Sequence, residues 1–183
     1  MEKVDLKAYD NSWYDPGGII KRVVWHIISS IFINSNIPLP VKVKIYILRF
    51  FGAKIGNGVM IKPRVNIKYP WFLVVEDFVW IGEEVWIDNY IEVKIKKNAC
   101  ISQGAMILTG NHDFTKSTFD LIIKPITIGE GAWVGAKSIV CPGVAVGDCS
   151  VLTVGSVATK QLLEHSIYQG NPARMIKCRE IIL

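Results

Sequence analysis

Between Ile128 and Ala158 an aliphatic or small residue returns at every sixth position: Ile128, Val134, Val140, Val146, Leu152 and Ala158. Four residues after each of the first five stands another small or short side chain, Ala132, Ser138, Val144, Ser150 and Ser156, and Gly129, Gly135, Gly147 and Gly155 fall at or near the corners. A period of six fits neither a helix nor a plain strand alternation. It describes a short flat segment, a turn and another flat segment, so three hexads close one coil of a parallel β-helix. The same phase runs back to Ile55. Ile55, Ile61 and Ile67 form a first coil; Val75, Ile81 and Ile87 a second; Ile95, Ile101 and Ile107 a third; Ile128, Val134 and Val140 a fourth; Val146, Leu152 and Ala158 a fifth. The interruptions all follow the third hexad of a coil, with two extra residues before Val75, two before Ile95 and fifteen before Ile128. One edge of the prism therefore collects every insertion, and in repeat folds such an edge is often the binding edge.

Ahead of the repeat, Asp15-Pro16-Gly17-Gly18 punctuates a polar arm. The segment from Ile19 to Ile33 predicts a helix that is amphipathic or buried, and Asn34, Asn36, Pro38 and Pro40 end it. Its uncharged core is well short of the roughly 20 residues a membrane-spanning helix needs. A second helix is predicted over Val41 to Phe51, and the pair is expected to cap the first coil. The chain divides into an arm with capping helices (1–54), the β-helix (55–158) with its loop at 109–125, and a tail (159–183). The tail's Gly170-Asn171-Pro172-Ala173 reads as a turn.

Charge adds an asymmetry. The net charge is +5, yet from Pro16 to Val75 there is no acidic residue, while Lys21, Arg22, Lys42, Lys44, Arg49, Lys54, Lys62, Arg64 and Lys68 lie in that stretch. An anionic partner, whether a membrane surface, a lipid diphosphate or an acidic glycan, is one reading and a solvated basic face the other. Cys100, Cys141, Cys149 and Cys178 show no CxxC spacing, and nothing at the N-terminus has the order of a cleavable signal peptide, so a reduced, cytoplasmic protein is expected.

The fifteen-residue excursion carries Asn111-His112-Asp113-Phe114. A histidine on a long loop at the insertion edge is a candidate general base, with Asp113 or a backbone carbonyl fixing its tautomer; a purely structural loop histidine is the alternative. Asn89 stands near the same edge one coil earlier. Adjacent coils are about 4.8 Å apart, so the two side chains could converge on a small ligand, with Asp88 a weaker candidate beside them. No serine or cysteine has a histidine at a spacing that supports a covalent intermediate, so direct transfer is the simpler chemistry. Only three histidines occur, His26, His112 and His165, and a zinc site of histidines from neighbouring coils cannot be assembled from one subunit. No phosphate-cradling glycine motif appears, and nucleic-acid binding is not expected. Trp80, Trp86 and Trp133 each precede an inward residue, so they point outward, to an interface, a groove wall or the N-terminal helices.

The hexads, the loop Thr109-Gly110-Asn111-His112-Asp113, the run Trp133-Val134-Gly135-Ala136 and the end Gly170-Asn171-Pro172-Ala173 together resemble the hexapeptide-repeat O-acetyltransferases, nearest to the colanic-acid-biosynthesis type. Ile101-Ser102-Gln103-Gly104-Ala105, Thr118-Phe119-Asp120-Leu121 and Tyr168-Gln169-Gly170-Asn171-Pro172-Ala173 are the specific pieces, and the similarity spans roughly residues 39 to 179. The resemblance implies a left-handed parallel β-helix in a homotrimer, with acetyl-CoA in the groove between neighbouring subunits. It implies His112 as the catalytic base, Asn89 as an acceptor-binding residue and a backbone N–H near Gly135 or Ala136 as the oxyanion donor; Asp88, Asn111 and Asp113, beside them in the chain, are further candidate acceptor contacts. Trp133 would wall the groove, Val154 and Gly155 would meet the pantetheine arm, and Thr159, Lys160, Arg174 and Lys177 would contact the nucleotide end. The function so implied is acetyl transfer to a sugar hydroxyl in surface-glycan synthesis, without a metal. The rivals are N-acetylation of an amino sugar and a non-catalytic trimeric scaffold held at the inner membrane surface.

Overall fold

The computed structural model describes residues 3–182. Short strands stack into three sheets that wrap a common core. The first face runs through Lys54–Ile55, Leu73–Val75, Val93–Ile95, Ile126–Ile128 and Ala145–Val146. The second takes Met60–Ile61, Trp80–Ile81, Cys100–Ile101, Trp133–Val134 and Val151–Leu152, and the third Asn66–Ile67, Trp86–Asp88, Met106–Leu108, Ile139–Val140 and Val157–Ala158. All these pairings are parallel, and the register is the one the sixfold phase predicts: Ile55 opposite Val75, Val75 opposite Ile95, Ile95 opposite Ile128, Ile128 opposite Val146. The inward residues are buried, and Trp80, Trp86 and Trp133 point outward.

Two local rules hold the coils at ladder spacing. The residue after an inward one must be tiny where the next coil's backbone presses on it. A Cβ at Gly135 would sit 2.7 Å from the Leu152 oxygen and the Val154 nitrogen, closer than atoms can approach. The third residue after an inward one adopts left-handed φ at every corner where the phase is unbroken. Gly104 (φ 66°) does so without strain, whereas Lys137 (φ 55°) and Cys149 (φ 53°) bear the cost that a side chain incurs there.

At its start the solenoid leaves carbonyls with no preceding coil. Coil by coil, the residue after an inward one donates its N–H to the next coil's inward carbonyl, as Gly56 does to Val75 at 2.8 Å. The carbonyls of Ile55, Ile61 and Ile67 therefore face outward from the first coil, and the N-terminal helices supply donors to all three. From α1 (Ile19–Phe32), Trp25 Nε1 donates to Ile67 at 3.0 Å; from α2 (Val41–Phe50), Arg49 donates to Ile55 and the buried Lys44 to Ile61 and Lys62. Part of the acid-free basic stretch is thus used to satisfy an edge that would otherwise pair with another chain.

At the other end the ladder continues past Ala158. Leu162 bridges to Val146 and Tyr168 pairs with Leu152, giving two faces of a sixth coil. The chain then reverses, and Ala173–Cys178 runs antiparallel to Ser166–Gly170 as the outermost strand of the second face. The shortened step from Ala158 to Leu162 and the bulky Tyr168 hide this coil from the sixfold pattern.

The insertions do share one edge, between the third and first faces. There lie the turn at Tyr69 with a 3₁₀ segment over Pro70–Phe72, the residues around Asn89, and a hairpin of Gly110–His112 against Leu121–Ile123. The N-terminal arm folds over this edge: Asp5 donates its N–H to the Ser117 carbonyl at 2.9 Å, and the Tyr14 hydroxyl donates to the Tyr90 carbonyl at 2.7 Å.

Candidate active site

His112 ends the outgoing strand of the hairpin and is half-buried. Its Nδ1 lies 2.9 Å from the Phe119 carbonyl oxygen, which can only accept, so Nδ1 carries a proton and Nε2 stays outside that bond. The imidazole stacks on the Phe119 ring with centroids 4.4 Å apart and planes 7° from parallel, and Tyr9 of the arm closes the other approach at 5.7 Å. Of the two tautomer-fixing partners that the sequence allows, the structure selects the carbonyl. Asp113 is engaged elsewhere: its Oδ1 accepts from the N–H and hydroxyl of Thr115, which hold its carboxyl below the usual range. Asn111 is exposed, and its side-chain oxygen accepts from the His112 N–H.

Asn89 is tied to the backbone of the preceding coil. Its side chain is fully buried; Oδ1 accepts from the Tyr69 N–H at 3.0 Å and Nδ2 donates to the Tyr69 carbonyl at 2.6 Å. The amide replaces the backbone pairing that the insertion interrupts, a structural role that occupies both of its polar atoms. Thr109, at the same place one coil on, does likewise, accepting from the Tyr90 N–H and donating to the Asp88 carbonyl. Asp88 is paired with Lys68 at 2.9 Å, and the Lys68 ammonium also sits 3.9 Å from the Tyr90 ring centroid.

A second feature occupies the edge between the second and third faces. A cavity of about 410 Å³ is lined by Ser102, Gln103, Trp133, Gly135, Ala136, Thr153 and Val154. Trp133 forms its wall and is fixed by donating Nε1 to the Ser102 hydroxyl at 2.8 Å. The Gly135 N–H is consumed in the ladder by the Leu152 carbonyl, whereas the Ala136 N–H makes no hydrogen bond among the described residues. Of the two expected oxyanion donors only Ala136 is therefore available. Gly155 is exposed, with nothing within 4 Å of where a Cβ would stand, so a ligand can lie against its backbone. Sequence reasoning missed Ser102, Gln103 and Thr153, although each falls one or two residues after an inward position, where corners turn outward.

His112 and the groove thus stand on different edges of one prism. They share a level: the hairpin leaves after Ile107 in the third coil, and the groove begins in that coil at Ser102 and climbs to Val154 in the fifth. Arg174 stands opposite Gln169, and Lys177 stands opposite Ile167, on the ladder line that runs through Val151 to Trp133. Thr159 and Lys160 follow the third face and lie on the His112 edge. Among the described residues no cluster of three or more histidine, cysteine or acidic side chains could hold a metal ion.

No family model matches the chain. Over 163 residues, 89% of its length, it is 35% identical to a protein of Escherichia coli K12 named as a colanic acid biosynthesis acetyltransferase, WcaF, covering 90% of that protein. It is 26% identical over 147 residues to the galactoside O-acetyltransferase of the same organism, covering 79% of this chain and 72% of the relative. In structure it superposes with a TM-score of 0.82 on a hexapeptide-repeat-containing acetyltransferase of Vibrio cholerae complexed with acetyl coenzyme A, at 18% identity, covering 91% of this chain and 93% of that one. The coil is the left-handed parallel β-helix of that fold. With that extent of identity to WcaF and this architecture, the chain belongs to the hexapeptide-repeat acetyltransferases.

Proposed function

We propose that the protein transfers the acetyl group of acetyl-CoA directly to a sugar hydroxyl in surface-glycan synthesis, with His112 as general base. The observation that carries this reading is the Nδ1–H···O=C bond to Phe119, which engages Nδ1 and leaves Nε2 outside that bond. Nε2 takes the proton of the acceptor hydroxyl as its oxygen attacks the thioester carbonyl carbon. The tetrahedral oxyanion is held by the Ala136 N–H, an interaction worth about 3 kcal/mol in such sites. The carbon–sulfur bond then breaks and the thiolate takes the proton from the imidazolium. Acetyl-CoA turnover against monosaccharides, glycosides, amino sugars and lipid-linked oligosaccharides tests this. Turnover confined to amino sugars would favour N-acetylation, and none with any acceptor would end the proposal.

The acting unit is a homotrimer, because only a neighbour's hairpin can bring a base to the groove edge. In that arrangement Trp133, Gly135, Val154, Gly155 and Arg174 of one subunit and Thr159 and Lys160 of the next hold the donor. At acetyl-CoA concentrations well below saturation, mixing His112→Ala chains, which lack the base, with Trp133→Ala chains, which bind the donor weakly, should restore activity above that of either variant alone. No restoration in co-refolded mixtures would count against a shared site.

Peripheral membrane contact is supported by one further observation: Ile20, Val24, Ile27 and Ile31, at helical spacing, form an exposed apolar stripe on α1 beside Lys21. No helix among the described residues is long and apolar enough to cross a membrane. Sedimentation with liposomes containing anionic lipid should remove the protein from solution, and Val24→Asp, which places a negative charge within the stripe, should release it.

A further inference from the structure

A second cavity, of about 370 Å³, lies beneath α1 against the third face. Arg22 and His26 of α1 line one side; Lys68, Asp88 and the outward Trp86 line the other. Its charges do not cancel. Lys68 and Asp88 neutralise each other at 2.9 Å, whereas Arg22 makes no ion pair or side-chain hydrogen bond among the described residues, and its Nε is buried without an acceptor. The neighbouring Tyr14 phenol offers no compensating charge, since burial holds its hydroxyl well above the usual phenol range and hence neutral. A buried guanidinium nitrogen without a partner is unfavourable unless an acceptor arrives, and guanidinium matches the geometry of phosphate oxygens. Trp86 gives the cavity an apolar wall on which the face of a sugar ring can lie.

A line of contacts runs from the cavity toward the hairpin that carries His112. The Lys68 ammonium rests on Tyr90, and the Tyr90 ring packs against Gly110, where a Cβ would meet it at 2.8 Å; two residues on is His112. We infer that this cavity binds the phosphate of a glycosyl phosphate acceptor, with Arg22 and His26 on the oxygens and Trp86 against the sugar. The inference rests on the acetyl-transfer reading for the identity of the sugar as acceptor. The phosphate can belong to a nucleotide sugar or to a lipid-linked sugar, and the same contacts serve both.

Calorimetric titration of the intact protein with methyl glycosides of glucose, galactose, mannose and fucose, and with the matching 1-phosphates, tests it. At least one 1-phosphate should bind ten-fold or more tightly than its methyl glycoside. Arg22→Gln should abolish that preference, and His26→Gln, at an exposed position where folding is not at risk, should reduce it. Equal binding of both forms, or a preference that survives in both variants, overturns the inference. Nucleotide diphosphate sugars and a short-chain polyprenyl diphosphate sugar then form two arms; the one whose binding depends on Arg22 identifies the source, and dependence in neither overturns the proposal. Acetyl-CoA binding is measured on the same samples. If acetyl-CoA binds but phosphate confers no preference, this inference alone fails; if the preference holds without acetyl-CoA binding, the acetyl-transfer reading fails.

Discussion

The imidazole of His112 and the backbone carbonyl of Phe119, seven residues apart across a hairpin, fix one another: Nδ1 donates to the oxygen at 2.9 Å while the two rings stack at 4.4 Å. A carbonyl partner sets the tautomer without adding a charge. His112→Ala should therefore lower kcat/KM by a factor of about 100 to 10,000, the usual share of general-base catalysis, while acetyl-CoA binding is unchanged. Acetyl-CoA consumption and equilibrium binding, measured separately, check both halves.

Trp133 predicts the converse. Its indole walls the groove and is pinned to Ser102, so Trp133→Ala should weaken acetyl-CoA binding by about ten-fold, roughly 1.4 kcal/mol, with little change in acceptor KM. A change confined to acceptor KM would remove Trp133 from the donor wall.

For Asn89 the structural role makes a specific demand. Asn89→Ala leaves the N–H and carbonyl of Tyr69 without partners in a buried setting, at a cost of about 2 kcal/mol. Below its lowered melting temperature the variant should retain most of its kcat/KM. A hundred-fold loss of activity in folded protein would restore Asn89 to the acceptor site.

The two kinds of glycine should fail differently. At Gly129 an added Cβ would lie 2.6 Å from the Asp148 nitrogen of the next coil, so Gly129→Ala forces backbone apart and should cost about 3 kcal/mol. At Gly104 the nearest atom is a flexible Lys137 carbon at 3.4 Å, and only left-handed strain is added, about 1 kcal/mol. Urea unfolding of the two variants orders them.

Asp148 links the first face to pH. Its Oδ1 accepts from the Glu130 N–H at 2.8 Å and from Lys96 at 3.1 Å, and these bonds lower its pKa below the ordinary 3.8. A depressed carboxyl stabilises the fold fully above its ordinary value, and that contribution is lost as pH falls through the lower, folded one. Stability should therefore decline below pH 4, and Asp148→Asn should be less stable than wild type at pH 7 but flatter across the acid range. Denaturant titrations at pH 3, 4 and 7 test this.

The repeat was readable because its inward residues obey a rigid spacing, and every predicted pairing from Ile55 to Ala158 is found. The excursion that carries His112 was readable because an insertion in a regular lattice stands out. What the spacing could not report is side-chain direction at corners: Asn89 turns inward to its neighbour's backbone, a choice made by the unpaired groups of Tyr69 rather than by any local pattern. The docking of Tyr9 on His112 was equally hidden, since an arm that packs on one loop needs no period. Nor could the charge pattern report that Lys44 and Arg49 donate to carbonyls of their own chain.

The capped first coil and the doubled-back last strand have a consequence for length. With both ends closed, the number of coils acts as a ruler laid along the axis, graduated in steps of about 4.8 Å. His112 and the lower end of the groove are read at the same mark, the third coil, while Val154 and Arg174 stand at higher ones. Removing one coil between Ile107 and Arg174 would shorten the groove by one graduation without touching His112, and removing one below Ile107 would leave their spacing intact.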